Sequence, residues 1–140
     1  MKKIFLVILS VITAINISSL AVAQDKQPAK VIAYYFHGTF RCPTCINMEK
    51  YSREAIDTNF KEAVDSGRLE FTVVNIEDKG NEHYAGDYQL YTKSLVLSLV
   101  KDGKEVKSKN LDKIWEYSRD KKKFIEYVTG EVDGFMKEGQ

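Results

Sequence analysis

The chain has 140 residues, with 21 Lys and Arg against 20 Asp and Glu and a net charge of +1. This length allows one domain around a single core. The balanced charge lacks the basic excess typical of proteins that bind nucleic acid or anionic membranes, so we expect neither partner.

The N-terminus has the pattern of a signal peptide. Two lysines precede an apolar run, 4–15, which is shorter than the roughly 20 residues of a membrane span. Ala21-Val22-Ala23 then has the small-x-small form of a cleavage site. We expect residues 1–23 to be removed, residues 24–140 to form the domain, and the protein to be periplasmic or secreted. The alternative is an uncleaved membrane anchor.

The first half of the domain predicts strand, helix and strand. Val31–His37 is a nearly continuous apolar run, as in a strand buried on both faces. Pro43 suits the first position of a helix, which apolar residues at helical spacing continue to Gly67. Leu69–Ile76 then predicts a second strand.

The second half predicts a helix, a hairpin and a final helix, in the order β-α-β-α-β-β-α overall. Asn81 suits the cap of a short helix through Tyr91, with Tyr84, Tyr88 and Tyr91 packing along one stripe. Asp102-Gly103 predicts a hairpin turn between the strands 94–100 and 105–109. The remaining residues predict a helix over 111–137, broken near Arg119, with Asp120 capping its last part.

The motif Arg41-Cys42-Pro43-Thr44-Cys45 lies where the first strand passes into the first helix and holds the only two cysteines. Positions i and i+3 share a helix face, so the two sulfurs can form one small disulfide ring. Such a short loop contributes little stability. A secreted domain stabilised by disulfides usually has about four to eight cysteines. Chemistry therefore explains this pair better than stabilisation does.

The position of the pair favours thiol–disulfide exchange. Unpaired N–H groups at a helix start stabilise a thiolate, so Cys42 is the expected nucleophile and Cys45 the residue that resolves the mixed disulfide. Arg41 adds a neighbouring positive charge, and the Thr44 hydroxyl is a candidate donor to the thiolate. Because these effects stabilise the reduced form, we predict a reduction potential above that of thioredoxin, about −200 mV.

Three alternatives use the same residues differently. The pair is a merely structural disulfide, or it binds a soft metal such as Cu(I) or Zn(II) with His37 or His83 as a further ligand. In the third alternative, the chain is a binding module with little turnover. Metal content after anaerobic purification separates the metal carrier from the oxidoreductase.

With a C-x-x-C at this junction, residues 30–138 resemble the thioredoxin superfamily, which implies a single thioredoxin-like domain with a mixed central sheet and helices on both faces. More narrowly, four segments resemble a family of small exported bacterial proteins labelled nitrophenyl compound nitroreductase subunit ArsF. These segments are Tyr34–Cys45, Asn81–Tyr84, Tyr88–Ser94 and Asn110–Trp115. Members of that family accompany a membrane permease similar to electron-carrying thiol transporters.

The resemblance implies an exported thiol–disulfide oxidoreductase. Its expected partners are a client protein with a disulfide or thiol pair and a membrane thiol carrier or permease, and we expect a monomer. An accessory subunit of a nitroreductase system is the alternative. The sequence has no G-x-G-x-x-G signature for a flavin or nicotinamide, so we expect no cofactor.

The sequence differs from thioredoxin at two positions. Ser94 aligns where thioredoxin-like oxidoreductases have a cis-proline opposite the disulfide, and Pro28 and Pro43 are the only prolines of the chain. Tyr35 or Phe36 aligns with the buried acid that assists proton transfer in thioredoxin.

Overall fold

The computed structural model describes residues 27–140, so the predicted signal peptide, residues 1–23, lies outside the described residues. The described part contains four strands: β1 Lys30–His37, β2 Leu69–Asn75, β3 Ser94–Lys101 and β4 Lys104–Asn110. It also contains a short 3-10 helix, Asp112–Ile114, and four α-helices: α1 Pro43–Asn59, α2 Lys61–Asp65, α3 His83–Asp87 and α4 Lys121–Glu138. Among these, no helix has the length and apolar character needed to cross a membrane.

The strands form one mixed sheet in the order β2-β1-β3-β4. β1 runs parallel to β2 and antiparallel to β3, and β3 pairs antiparallel with β4. A parallel pair needs a crossover connection, which α1 and α2 supply, whereas β3 and β4 are joined by a tight turn. This architecture confirms the predicted α/β class with a mixed sheet and is compatible with a single thioredoxin-like domain.

β1 is a central strand whose alternate side chains contribute to a core on each face of the sheet. Val31, Ala33 and Tyr35 are buried in the main core with α1 and α4. The two helices supply buried side chains at helical spacing: Met48, Ala55, Ile56, Phe124, Val128, Val132 and Phe135. Each large side chain removed from water contributes about 1.5–3 kcal/mol. The main core therefore fixes α1, whose first turn carries the cysteines, against β1.

The opposite face of the sheet carries a smaller core of Phe36, Val74, Leu90 and Val96. The rings of Tyr84 and Tyr88 cover it, with centroids 5.1 and 5.5 Å from the Phe36 ring. Helical residues thus lie on both faces of the sheet, as expected. The prediction that Tyr91 also packs on this stripe was wrong: Tyr91 lies beyond the end of α3 and is 94% exposed.

The predicted helix 43–67 is interrupted at Phe60, whose φ of −129° and ψ of 30° are not helical. The Phe60 ring packs against the main core, and the change of direction there lets α2 bury Ala63. Gly67 has a φ of +73°, which glycine adopts without strain, and it follows the last helical turn as predicted.

The predicted helix 81–91 is shorter in the structure and is confined to α3. The Asn81 amide does not cap it but donates to the carbonyl of Asn75 at the end of β2, at 3.0 Å. Gln89 has a φ of 50°, in the left-handed region, which ends the helical path. The prediction was wrong because the Asn75 carbonyl, six residues earlier at the end of β2, accepts from the Asn81 side chain instead.

The predicted α-helix does not form over 111–119, where the chain instead makes the short 3-10 helix and turns. The N–H of Leu111 donates to Leu95 O at 2.8 Å, so the chain is still attached to β3 at this point. α4 then begins as predicted, with Asp120 Oδ1 accepting from the backbone N–H of Lys123 at 3.1 Å. Among the residues predicted for its buried face, Phe135 is buried and Met136 only partly so.

The hairpin between β3 and β4 confirms the predicted turn. Asp102 and Gly103 have φ values of 51° and 75°, the left-handed conformation that a two-residue hairpin turn requires. β4 is exposed along its whole length. Lys107 at this sheet edge pairs with Glu138 of α4 at 2.7 Å.

Candidate functional site

The two cysteines lie at the start of α1, as the sequence predicts. Cys42 is the N-cap residue, with an extended backbone (φ −80°, ψ 160°), and Pro43 occupies the first helical position. Proline is favoured there because the N–H it lacks would have no helical partner. Cys45 is therefore in the first turn, three positions after Cys42 and on the same side of the helix.

The cysteines form a disulfide with a Cα–Cα distance of 5.1 Å. Cys45 is buried, with 1% of its surface exposed, whereas Cys42 is partly exposed. The Sγ of Cys42 accepts a hydrogen bond of 3.2 Å from the backbone N–H of Cys45. The pair thus has an outer sulfur that receives a helix N–H and an inner sulfur shielded from solvent.

Arg41 lies next to Cys42, but its guanidinium is paired with a group that the sequence did not indicate. Its Nη2 donates to the Glu49 carboxylate on the second turn of α1. Its Nε is buried and has no hydrogen-bond partner in the described structure. The predicted effect of Arg41 on the thiolate stays a prediction, and Glu49 is a second charge that acts on the same guanidinium.

Pro43 and Thr44 differ in what they contribute. Pro43 is exposed and starts the helix, as described above. Thr44 is partly buried, and within residues 27–140 the hydrogen bond to the Cys42 sulfur comes from the Cys45 N–H, not from the Thr44 hydroxyl. The predicted donation by Thr44 concerns the thiolate of the reduced form and stays a prediction.

Tyr35 lies beneath the first turn of α1 and is fully buried. Its hydroxyl donates to the backbone carbonyl of Cys45 at 2.7 Å. Burial raises the pKa of the Tyr35 phenol, an effect that the charge of Arg41 opposes and that of Glu49 increases. Tyr35 is therefore a neutral hydrogen-bond donor that connects β1 to the inner cysteine.

Ser94 begins β3 and pairs with Phe36 near the end of β1. It is 4% exposed, and its hydroxyl donates to Thr92 O at 3.0 Å. Because β1 and β3 are antiparallel, the segment before Ser94 lies at the same end of the sheet as the segment that leads from β1 to Cys42. The peptide bonds of the described residues include no cis bond.

Contacts join these two segments directly. The Lys93 ammonium lies 6.0 Å from the centre of the Phe40 ring, and the Trp115 Nε1–H donates to Lys93 O at 2.9 Å. Phe40, Ile46, Tyr91 and Trp115 are exposed by 77, 51, 94 and 38%. We call these four residues the apolar rim: Phe40 and Ile46 flank the cysteine motif in sequence, and Tyr91 and Trp115 lie in or contact the segment before Ser94.

A second contact fixes the loop between β1 and α1 to the loop after β2. Glu77 accepts from the Thr39 backbone N–H at 3.0 Å. Hydrogen bonding by Thr39, through its hydroxyl and its backbone N–H, lowers the pKa of Glu77. A Cβ at Gly38 would lie 2.6 Å from a carboxylate oxygen of Glu77, so glycine allows this close approach.

His37, the candidate third metal ligand, is at the end of β1, and its Nδ1 lies 2.8 Å from Gly38 O. His83 Nδ1 lies 2.7 Å from Asp87 Oδ2 within α3. Across residues 27–140, no group of three or more His, Cys, Asp and Glu side chains is placed to hold a metal ion. The described part of the structure does not bring His37 or His83 together with both cysteines as a metal site.

Comparison of this chain with protein-family models, curated proteins and solved structures gives no match.

Proposed function

We propose that this protein is a thiol–disulfide oxidoreductase that uses the Cys42–Cys45 pair. The observation that carries the proposal is the asymmetry of the pair at a helix start: Cys42 is partly exposed, whereas Cys45, at bonding distance, is buried. An exposed sulfur is open to attack by a thiol or to attack on a disulfide. A buried partner three residues away resolves the mixed disulfide without leaving the helix.

In the reducing direction, the Cys42 thiolate attacks one sulfur of a client disulfide. The client S–S bond breaks, a mixed disulfide with Cys42 forms, and the other client sulfur leaves as a thiolate. Cys45 then loses its proton and attacks Cys42 Sγ, which re-forms the Cys42–Cys45 bond and releases the second client thiolate. The client gains two electrons, and its two sulfurs take up protons from water. The oxidising direction is the reverse of these steps.

The start of α1 supplies the stabilisation that such a nucleophile needs. The backbone N–H of Cys45 already donates to Cys42 Sγ in the disulfide form and is oriented to donate to a thiolate. The positive end of the helix dipole adds to this effect. Both favour the reduced form, in line with a predicted potential of about −200 mV.

The proposed partner is an exported protein with a disulfide or thiol pair, and the apolar rim supports a polypeptide client. Phe40, two residues before Cys42, is exposed together with Tyr91 and Trp115 of the adjoining segments, and aromatic side chains serve as contact points in protein interfaces. As the family resemblance implies, electrons would pass between this client and a membrane thiol carrier in the periplasm.

The proposal is tested by trapping the client. Cys45→Ala leaves the Cys42 thiolate without its resolving partner, so we expect mixed disulfides that are seen on non-reducing gels and lost on reduction. The matched control is Cys42→Ala, which retains only the buried sulfur and is expected to trap nothing. Capture through Cys45 in the control would invert the assigned roles. Failure of both variants to trap, with no exchange between the wild-type pair and glutathione, would refute the proposed function.

A further inference from the structure

We propose that Glu49 is a positioning residue that sets the reduction potential of the Cys42–Cys45 pair by holding and neutralising the Arg41 guanidinium. This inference rests on the proposed redox function and deepens it. It assigns a role to a carboxylate four residues after Cys45 that is not part of the cysteine motif.

The first step is the geometry of the ion pair. Arg41 precedes Cys42 directly, and its Nη2 donates to Glu49 Oε2 across the first two turns of α1. The two side chains are shielded, with only 30 and 19% of their surfaces exposed. A shielded ion pair is weakly screened by water and salt, so its charges act on neighbouring groups more strongly than an exposed pair does.

The second step is that both charges act at the site of the cysteines. Glu49 is four residues after Cys45 and therefore on the same side of α1. The Tyr35 hydroxyl, which donates to the Cys45 carbonyl, experiences both charges in opposite directions: Arg41 favours its ionisation and Glu49 opposes it. The pair thus presents two opposing charges to the Tyr35 hydroxyl, which lies at the carbonyl of the inner cysteine.

The third step is the unsatisfied donor. Arg41 Nε is buried and lacks an acceptor in the disulfide form. An unpaired buried donor is unfavourable, and reduction creates a negative charge on the adjacent residue, Cys42. The guanidinium therefore favours the thiolate, and the Glu49 carboxylate reduces this effect by compensating the same positive charge.

A second cation, Arg53, also lies near Glu49. Arg53 lies 4.0 Å from Glu49 Oε1, and its guanidinium is placed 4.7 Å from the centre of the Phe71 ring. From α4, Lys121 pairs with Glu54 and not with Glu49. Removing the Glu49 charge leaves Arg41 and Arg53 uncompensated, and both then favour a thiolate nearby.

The test is the equilibrium of the purified protein with glutathione, using single and double variants. Glu49→Gln is expected to shift the equilibrium about fivefold toward the reduced form, which is a rise of about 20 mV for a two-electron couple. Arg41→Gln is expected to shift it about fivefold toward the disulfide. The double variant is expected to lie within about twofold of wild type, because the two charges cancel.

The opposite directions of the redox shifts in Glu49→Gln and Arg41→Gln distinguish an electrostatic role of Glu49 from a purely structural one. Both single variants lose the same ion pair, so a purely structural effect would change both in the same direction. Absorbance of the reduced protein as a function of pH gives a second readout: the thiolate of Cys42 is expected to form at lower pH in Glu49→Gln and at higher pH in Arg41→Gln. Arg41→Lys retains the charge and is expected to restore most of the wild-type behaviour.

Glu54→Gln is the matched control, since it removes an ion pair of 2.8 Å from the same helix without facing the cysteines. It is expected to leave the potential unchanged. Shifts of equal sign in the two single variants, or none, would overturn the role of Glu49 while leaving the redox function intact. If the wild-type pair does not equilibrate with glutathione at all, the proposed function and this inference both fail.

Discussion

At the scale of single residues, Tyr35 links the core of the protein to its sulfur chemistry. Its ring is fully buried against the main core, and its hydroxyl ends at the carbonyl of the inner cysteine. A buried hydroxyl is unfavourable unless it is hydrogen-bonded, and this contact satisfies it. Tyr35 therefore serves as a neutral hydrogen-bond donor to the inner cysteine.

Tyr35→Phe tests this contact. The substitution retains the ring and removes the hydrogen bond, so we expect the free energy of unfolding to fall by about 1 kcal/mol. Urea denaturation of the oxidised protein measures the change. Tyr51→Phe is the control, because the Tyr51 ring also packs in the core, edge-on to Phe124, and its hydroxyl makes none of the hydrogen bonds found within residues 27–140. Equal losses in both variants would contradict a specific role for the Tyr35 hydroxyl.

At the scale of elements, α4 covers the main core although two glycines interrupt its outer face. Gly130 and Gly134 are exposed, have no positive φ, and would accommodate a Cβ with no atom within 4 Å. Glycine in a helix interior is unfavourable because it loses more backbone entropy than alanine does. The two glycines therefore make α4 less stable than it would be with alanine at the same exposed positions.

Gly130→Ala and Gly134→Ala are each expected to raise the free energy of unfolding by about 0.5–1 kcal/mol. Chemical denaturation checks the direction and the size. Gly67→Ala is the opposing control: its φ of +73° is strained for alanine, so this variant is expected to be less stable although nothing lies near its Cβ. Stabilisation by all three substitutions would show that the backbone conformation assigned at Gly67 is wrong.

The elements that were predicted correctly are those whose signals are local. The apolar run of β1, the Asp-Gly turn, and the Asp120 cap each depend on residues adjacent in sequence. The break at Phe60 and the short α3 depend instead on the folded surroundings: Phe60 packs against the main core, and Asn81 donates to the carbonyl at the end of β2, six residues earlier. Sequence periodicity carries no information about such contacts, which override helix propensity.

In the candidate site, too, the features encoded by adjacent residues were predictable and those made by residues further along the chain were not. The cysteine pair, its helix and the capping position were predictable from five consecutive residues. Glu49 and Glu77 were not, since they reach Arg41 and Thr39 across separations of 8 and 38 residues. A carboxylate at the fourth position after Cys45 was the available signal for Glu49, because residues at this spacing share a helix face.

At the scale of the whole molecule, glutamates with lowered pKa values reduce the stability of the fold in acid, and tyrosines with raised pKa values reduce it in alkali. The hydrogen bond from Lys30 lowers the pKa of Glu70, and Thr39 lowers that of Glu77. Burial raises the pKa of Tyr34, Tyr35 and Tyr88, and it raises that of Tyr127 to about 12. The folded state thus binds fewer protons than the unfolded state in acid and retains more in alkali.

The sign of each effect follows from linkage. The contribution of the glutamates is present above their unfolded pKa of about 4.3 and is lost as the pH falls through their lower folded values. That of the tyrosines is present below about pH 10 and is lost as the pH rises toward their higher folded values. We therefore expect the urea midpoint to be nearly constant between about pH 5.5 and 9 and to decrease on both sides.

Glu77→Gln is the informative variant for the acid side, since it is expected to flatten the decrease there without changing the alkaline side. A midpoint that rises on acidification of the wild type would contradict the assignment.

The hydrogen bond from the Cys45 N–H to the Cys42 sulfur has a consequence for redox cycling. Because a thiolate at Cys42 could accept from the same N–H, we expect the first turn of α1 to be retained when the pair is reduced. If the pair cycles as proposed, we therefore expect turnover to move the two sulfurs and their immediate neighbours, while the sheet and the long helices keep their positions.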